Sequence, residues 1–142
     1  MRTRTATEAD IPRLMFLWEN CGLTRPWNDA ERDIRFALQG PSSTVLITED
    51  DERLVASVMV GHDGHRGAMY YLSVLPEFQG QEMGRAIHGE AVNWLRSQGV
   101  WKINILVRME NAEVAGFYER LGYEQNPVLS FGLNIEDDGA GR

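Results

Sequence analysis

The sequence predicts an α+β domain of three layers, equally describable as an α/β three-layer domain, in which helices flank a mixed β-sheet. Three observations predict it. Strand-like and helix-patterned runs follow one another in the order β-α-α-β-β-β-α-β-α-β. The 142 residues suffice for one domain with a real core and are too few for two independent ones. The hydrophobic share of 43% and the charged share of 25% are those of an ordinary globular chain, and no repeat or low-complexity tract interrupts it.

Each element has a local reason. "RTRTAT" reads as a short first strand. Thr7 caps the next helix, with Asp10 three residues on and Pro12 in the first turn. Ile11, Leu14, Met15, Trp18 and Cys21 recur at helical spacing and give that helix one buried face. "GLTRPWND" breaks it, and residues 29–39 form a second helix with Ile34 and Leu38 four apart and "GPSS" as its stop. "TVLIT" and "RLVASVMVG" flank the acidic turn "EDDE" as a hairpin, and "HDGHRG" turns into a third strand, "AMYYLSVL". Ala86, Ile87, Ala91, Trp94 and Leu95 stripe a helix ending near Gly99. "KINILV" is a strand. Asn111 opens a helix striped by Val114, Phe117, Tyr118 and Leu121 and closed by Gly122. "VLSFGLNI" is the last strand, so one domain spans residues 1–136 and a loose tail follows over 137–142.

Composition removes several classes of function. A net charge of −7 argues against a nucleic-acid partner that needs a broad basic face. It leaves room for a small anion, because a nest of backbone N–H groups holds phosphate on an acidic protein. No apolar run approaches the roughly 18–20 residues of a membrane span, so no membrane partner is expected. The opening "MRTRTATEAD" lacks the apolar stretch of a signal peptide. Cys21 is the single cysteine and forms no internal disulfide, which suits the reducing cytosol, and a cytoplasmic location is expected.

Two segments carry candidate chemistry. In "VLPEFQGQEMGRAIHG" a strand leaves through a proline and spaced glycines into a helix N-terminus, where free N–H groups and the helix dipole favour an anion. Glycine lets the backbone approach a phosphate closely, and Arg85 is at hand as a charged clamp. Most strand–turn–helix junctions bind nothing, so this segment alone decides little. In "NAEVAGFYERLGY", Asn111 is an ordinary N-cap by itself and Tyr118 a core aromatic with its hydroxyl at the surface.

Taken together the two segments say more. "YYLSVLPEFQGQEMGRAI" is similar to the pyrophosphate-loop motif of the GNAT superfamily of acyl-CoA-dependent N-acetyltransferases. "NILVRMENAEVAGFYERLGYE" resembles that family's second motif, with both in register over nearly the whole chain. "RPWNDAERDI" and "GHDGHRGAMYYLSV" resemble a small single-domain bacterial subgroup, the YpeA-type acetyltransferases. The resemblance implies a GNAT-like, mostly antiparallel sheet flanked by helices, acetyl-CoA as co-substrate and no metal. It implies that backbone groups of Leu72, Ser73 and Val74 pair with the pantetheine arm, and that an N–H of the same stretch polarises the acetyl carbonyl. Gly80, Gln81, Glu82, Met83, Gly84 and Arg85 then wrap the pyrophosphate, Asn111 reaches the pantetheine, and Tyr118 protonates the departing thiolate. The implied reaction is direct attack of a small-molecule or peptide amine on the thioester in a ternary complex. The alternative is a non-catalytic acyl-CoA or metabolite-binding domain on the same fold.

Two departures from the family pattern bear on that choice. Glu82 stands where the family usually has glycine. Its carboxylate either complements the helix dipole from solvent or sits beside the expected phosphates and weakens binding. Leu106 stands where some members carry a glutamate base. Deprotonating a lysine amine of pKa near 10.4 at pH 7 costs about 4.6 kcal/mol, against about 1 kcal/mol for an α-amine, so a weakly basic acceptor is easier. His62, Asp63 and His65, or Tyr70 and Tyr71 through water, are candidate bases. The His-Asp-x-His run is otherwise plain turn chemistry, and as a metal site it needs unusual geometry. "TRPWND" lies where the family builds its acceptor site. Arg25 could pair with a carboxylate, Trp27 form a wall, and Asn28 or Asp29 hold the amine. The other reading is a linking loop in which Trp27 seals the core and Asp29 caps the next helix. Cys21, in an apolar stripe, is a poor nucleophile. Trp and Met residues in helices could serve a homodimer or only the core.

Overall fold

Strands β1 (Arg2–Thr5), β2 (Ser43–Asp50), β3 (Arg53–His62) and β4 (Gly67–Val74) form one antiparallel sheet in the order β1-β2-β3-β4. They belong to a computed structural model that describes residues 1–80 and 82–136. Two compact units divide the chain, Met1–Leu106 and Val107–Arg142. The predicted tail, 137–142, lies outside the described residues, as does Gln81.

In the first unit Val45, Leu46 and Ile47 on β2 and Leu54, Val55, Ala56, Ser57 and Val58 on β3 are buried without interruption. Side chains alternate between the faces of a strand, so consecutive burial requires cover on both. Helices α1 (Ile11–Asn20) and α2 (Ala30–Gln39) supply one layer. Trp18 of α1 donates its indole N–H to Ser57 Oγ at 2.8 Å, which fixes that face. Helix α3 (Met83–Ser97) covers the other. Gly67 pairs with His62, on the face opposite Ser57, and a Cβ built there would meet Leu95 Cδ1 at 2.7 Å. The α3 stripe runs Met83, Ile87, Ala91, Leu95 in steps of four, with His88 also buried; Ala86, expected inside, is exposed. In α1 the buried set is Ile11, Leu14, Leu17 and Trp18, while Met15 and Cys21 are partly covered.

Polar groups lock the entry to this unit. Asp10 accepts hydrogen bonds from the Thr7 N–H at 2.8 Å and from both terminal nitrogens of Arg4 at 2.9 Å. Arg13 joins Asp10 at 2.6 Å and Glu49 at 3.1 Å, and Arg4 Nε reaches Glu49 at 2.9 Å. Two guanidinium groups and two carboxylates thus tie β1, β2 and the start of α1. The Asp10 carboxyl, almost fully buried, is held well below the usual carboxylate range, first by Arg4.

The four strands pair antiparallel, the only parallel pairing among the described residues is a single bridge, and two expected strands do not form. Around Ile103 the chain makes one parallel bridge to Gly67, with Gly67 N–H to the Lys102 carbonyl and Asn104 N–H to the Gly67 carbonyl at 2.9 Å each, and "KINILV" goes no further as a strand. In the second unit helix α4 (Ala112–Arg120) forms as expected, and Gly122, at φ +100°, closes it. Residues 128–135 form no strand; Val128, Leu129, Phe131, Leu133 and Ile135 are exposed. Their alternating apolar pattern carries strand propensity, but a strand also needs a neighbour to satisfy its backbone.

Candidate functional site

The site begins with an irregularity in β4. Ser57 pairs with Ser73 and Met59 with Tyr70, so Val58 alone faces two residues, Tyr71 and Leu72. That is a β-bulge, which bends a strand and re-aims its side chains. Tyr71 takes up the extra residue at φ +55°, a conformation costing a residue with a Cβ about 1–2 kcal/mol. Its contacts offset this. The ring stacks on Trp18 with centroids 3.8 Å apart and planes 1° apart, and the hydroxyl donates to Asp33 Oδ2 at 2.8 Å. Burial and the Asp33 charge both push the Tyr71 phenol upward, so it stays protonated. Beneath the bulge, Ser57 Oγ lies 2.7 Å from Ser73 Oγ while accepting the Trp18 indole N–H, a buried polar chain from helix to strand.

Beyond its bridge to Ile103, β4 is the sheet's edge among the described residues. Leu72, Ser73 and Val74 therefore lie on a strand with one open side. The Val74 carbonyl is already taken, accepting from Gln79 Nε2 at 3.0 Å and from the Cys21 thiol at 3.3 Å. Burial raises the Cys21 thiol pKa, which suppresses its thiolate.

The edge runs into the corner that opens α3. Gly80 turns it at φ +81°. Glu82 occupies the N-cap position at φ +65°, and its side chain makes no capping hydrogen bond. The carboxylate turns outward to Arg85, 3.2 Å away. Ala86 N–H closes the first helical bond to the Glu82 carbonyl, so Met83, Gly84 and Arg85 carry the N–H groups of a first turn. Their partial positive charge suits an anion.

The loop before α2 borders two cavities. One, of about 390 Å³, is lined by Asn28, Asp33, Met59, Tyr70 and Tyr71. The other, of about 840 Å³, is walled by Trp27, Asn28 and α2. Asn28 and Asp33 border both. Trp27 is 66% exposed and does not seal the core, whereas Asp29 does cap α2, accepting from Arg32 N–H at 3.1 Å. Arg25 is turned onto its own loop, donating to the Gly22 and Thr24 carbonyls at 2.7 and 2.9 Å. Asp63 and His65 lie in the β3–β4 turn and line neither cavity. Asp63 Oδ1 accepts the N–H groups of His65 and Arg66 at 2.8 Å each, which lowers its carboxyl pKa. His62 Nδ1 accepts from Gly64 N–H at 3.0 Å. Among the described residues no group of three or more His, Cys, Asp or Glu is placed to hold a metal ion, and no helix is long and apolar enough to cross a membrane.

In the second unit Asn111 Oδ1 accepts from Val114 N–H at 3.1 Å, the expected cap. Tyr118 is buried, with Phe117 and Tyr123 edge-on to its ring at 5.2 and 5.3 Å. Burial, and then Tyr123, push its phenol up to about 12. Leu106, at the end of the first unit, is 64% exposed and brings no carboxylate.

Sequence reasoning passed over Asp33 and Ser57. Asp33 sits on the polar side of α2, where a carboxylate looks like solvated surface. Ser57 is one small polar residue in an apolar run. The available signal was the doubled tyrosine in "AMYYLSV", which breaks the alternation of a half-buried strand.

The family model described as the acetyltransferase (GNAT) family matches residues 13–123. Solved structures share the fold at low identity. The ribosomal-protein-S18-alanine N-acetyltransferase from Escherichia coli is 21% identical, with 88% of this chain and 78% of that one covered and a TM-score of 0.75. An aminoglycoside antibiotic 6'-N-acetyltransferase from Acinetobacter haemolyticus is 16% identical, with 96% and 100% covered and a TM-score of 0.78. A predicted acetyltransferase from Clostridium acetobutylicum, solved with acetyl-CoA, is 16% identical, with 94% and 96% covered and a TM-score of 0.76.

Proposed function

The chain belongs to the acetyltransferase (GNAT) family, as an N-acetyltransferase with acetyl-CoA as co-substrate, and from this we propose a mechanism of direct transfer to an amine in a ternary complex. The observation that carries it is the open edge of β4 followed, after a 3-10 turn at Pro76–Phe78 and the turn at Gly80, by the first turn of α3. An extended pantetheine adds to such an edge as another strand would. Leu72, Ser73 and Val74 would pair with it, mainly through groups other than the occupied Val74 carbonyl. The diphosphate would rest on the corner from Gly80 to Arg85, where Met83, Gly84 and Arg85 offer N–H groups. An N–H at the bulge would polarise the thioester carbonyl and stabilise the oxyanion formed on attack. Partly buried and bonded to the Val74 carbonyl, Cys21 supports no acyl-enzyme route.

Asn111 and Tyr118 take their roles from the motif they match. Tyr118, at about 12, carries its proton throughout neutral pH. Handing it fully to a thiolate of pKa near 8.5 is uphill by roughly 5 kcal/mol. Its help is therefore a hydrogen bond to the developing thiolate, at the low end of general-acid effects. The tests are thiol release from acetyl-CoA across a panel of amines and intact-mass analysis of the enzyme. Thiol released in step with acetylated amine, with no acetyl left on the protein, is expected. Acetylation of Cys21 during turnover, or saturable coenzyme binding without transfer to any amine, would contradict the proposal.

A further inference from the structure

Tyr70 and Tyr71 are consecutive on a strand, yet both line the cavity of about 390 Å³. Regular alternation would send them to opposite faces; the bulge brings them together. Stacking on Trp18 leaves Tyr71 little freedom, and its hydroxyl ends on Asp33. That hydroxyl is neutral, and no basic side chain among the described residues pairs with Asp33. Arg35, on the same helix, is committed to Glu8 at 2.8 Å and Glu31 at 3.2 Å. A half-buried carboxylate thus borders two cavities, held in orientation by a neutral hydroxyl and with no direct ion pair of its own among the described residues, while Arg32 and Arg35 line only the larger cavity.

Resting on the acetyl-transfer reading above, we infer that Asp33, positioned by Tyr71, binds a cationic group of the acceptor other than the amine that is acetylated, so that the acceptor is a small diamine or polyamine. Carboxylate and tyrosine faces together suit an alkylammonium, through ion pairing and cation–π attraction. The cavity falls in the size range of small-molecule sites. An ammonium beside a carboxylate has its pKa raised and holds its proton, whereas the nitrogen that attacks a thioester must be neutral. The group held at Asp33 is therefore not the nucleophile. A tyrosine side chain's length separates Asp33 from the β4 backbone, a span that a short alkyl chain bridges. Asn28, on both cavities, is placed to accept from or donate to the same ligand.

The test compares two unreactive probes that differ only in charge, mono-acetylated cadaverine and N-pentylacetamide. Calorimetry with the CoA-saturated full chain reads their affinities. The charged probe should bind about tenfold tighter, the scale of one charge-assisted hydrogen bond, and Asp33→Asn should bring the ratio near one. Tyr71→Phe, which keeps the stacked ring, should lose only part of the advantage. A ratio near one in the wild-type chain, or a tenfold ratio that survives Asp33→Asn, overturns the inference. Should Asp33→Asn not fold, the Tyr71→Phe ratio and the decline of the wild-type ratio with salt decide it instead. If the chain fails to bind CoA, the acetyl-transfer reading fails separately, and the same ratio on coenzyme-free protein still judges Asp33.

Discussion

The Glu82 carboxylate lies 3.2 Å from the Arg85 guanidinium across one turn of α3, so the acid is partly offset by the base and makes no capping bond to the corner's backbone N–H groups. At φ +65° Glu82 also holds a conformation that glycine adopts without strain. An arriving diphosphate meets the part of the carboxylate's negative charge that the solvated Arg85 pair does not offset. Glu82→Gly should tighten CoA binding by about 3- to 10-fold at low salt, and less at high salt because the repulsion is screened. Glu82→Gln, which removes the charge and keeps a side chain of the same length, should recover the salt-dependent gain. Calorimetric titration with CoA at two ionic strengths checks both; weaker binding by Glu82→Gly would assign Glu82 a supporting role.

Replacing Tyr118 by Phe should lower turnover by about 10²-fold, with little change in CoA affinity. Because the phenol keeps its proton to about 12, the wild-type rate should climb with pH as the acceptor amine deprotonates. It should not fall from Tyr118 ionisation below about pH 11. A pH–rate profile for wild type and variant, on one acceptor, reads both effects.

Acid should weaken the cluster around Asp10. Its folded-state pKa is depressed by Arg4, so its stabilising contribution is present above the unfolded carboxylate value near 3.9 and is lost as pH falls further. Asp10→Asn, which leaves two guanidinium groups facing one carboxylate, should cost about 3 kcal/mol at pH 7. The variant should also lose stability less steeply below about pH 4. Urea unfolding across pH 2–7 measures cost and slope, and parallel curves would remove Asp10 from the acid limb.

Ser57→Ala should destabilise by about 1–3 kcal/mol, because it strands the Trp18 indole N–H in a buried site and frees the Ser73 hydroxyl. Ser57→Thr keeps the hydroxyl and should retain more of the bonding, subject to the fit of its added methyl. Thermal unfolding of both variants is the check; equal losses would mean that volume matters there and the hydrogen bonds do not.

Much of this was legible in the sequence, and the misses share a physical cause. The stripes of α1 and α3, the helix α4, of whose expected stripe only Tyr118 is buried and Val114 is exposed, the Asp29 and Asn111 caps and the β2–β3 hairpin follow from periodicity and turn chemistry, which are local. The strands expected at "KINILV" and 128–135 have the right composition, yet pairing depends on a neighbour that local pattern does not specify. The corner at Gly80–Arg85 was readable because glycine spacing and a helix start sit within a few residues. Asp33 was not, since its importance arises from Tyr71, 38 residues away, reaching it through a bulge that the doubled tyrosine only hints at.

The most direct measurement is a crystal structure of the chain soaked with CoA. The diphosphate should lie within hydrogen-bonding reach, about 3 Å, of the N–H groups of Met83, Gly84 and Arg85, with the pantetheine along the open side of β4. A coenzyme bound elsewhere, or a vacant corner at saturating CoA, would contradict that placement.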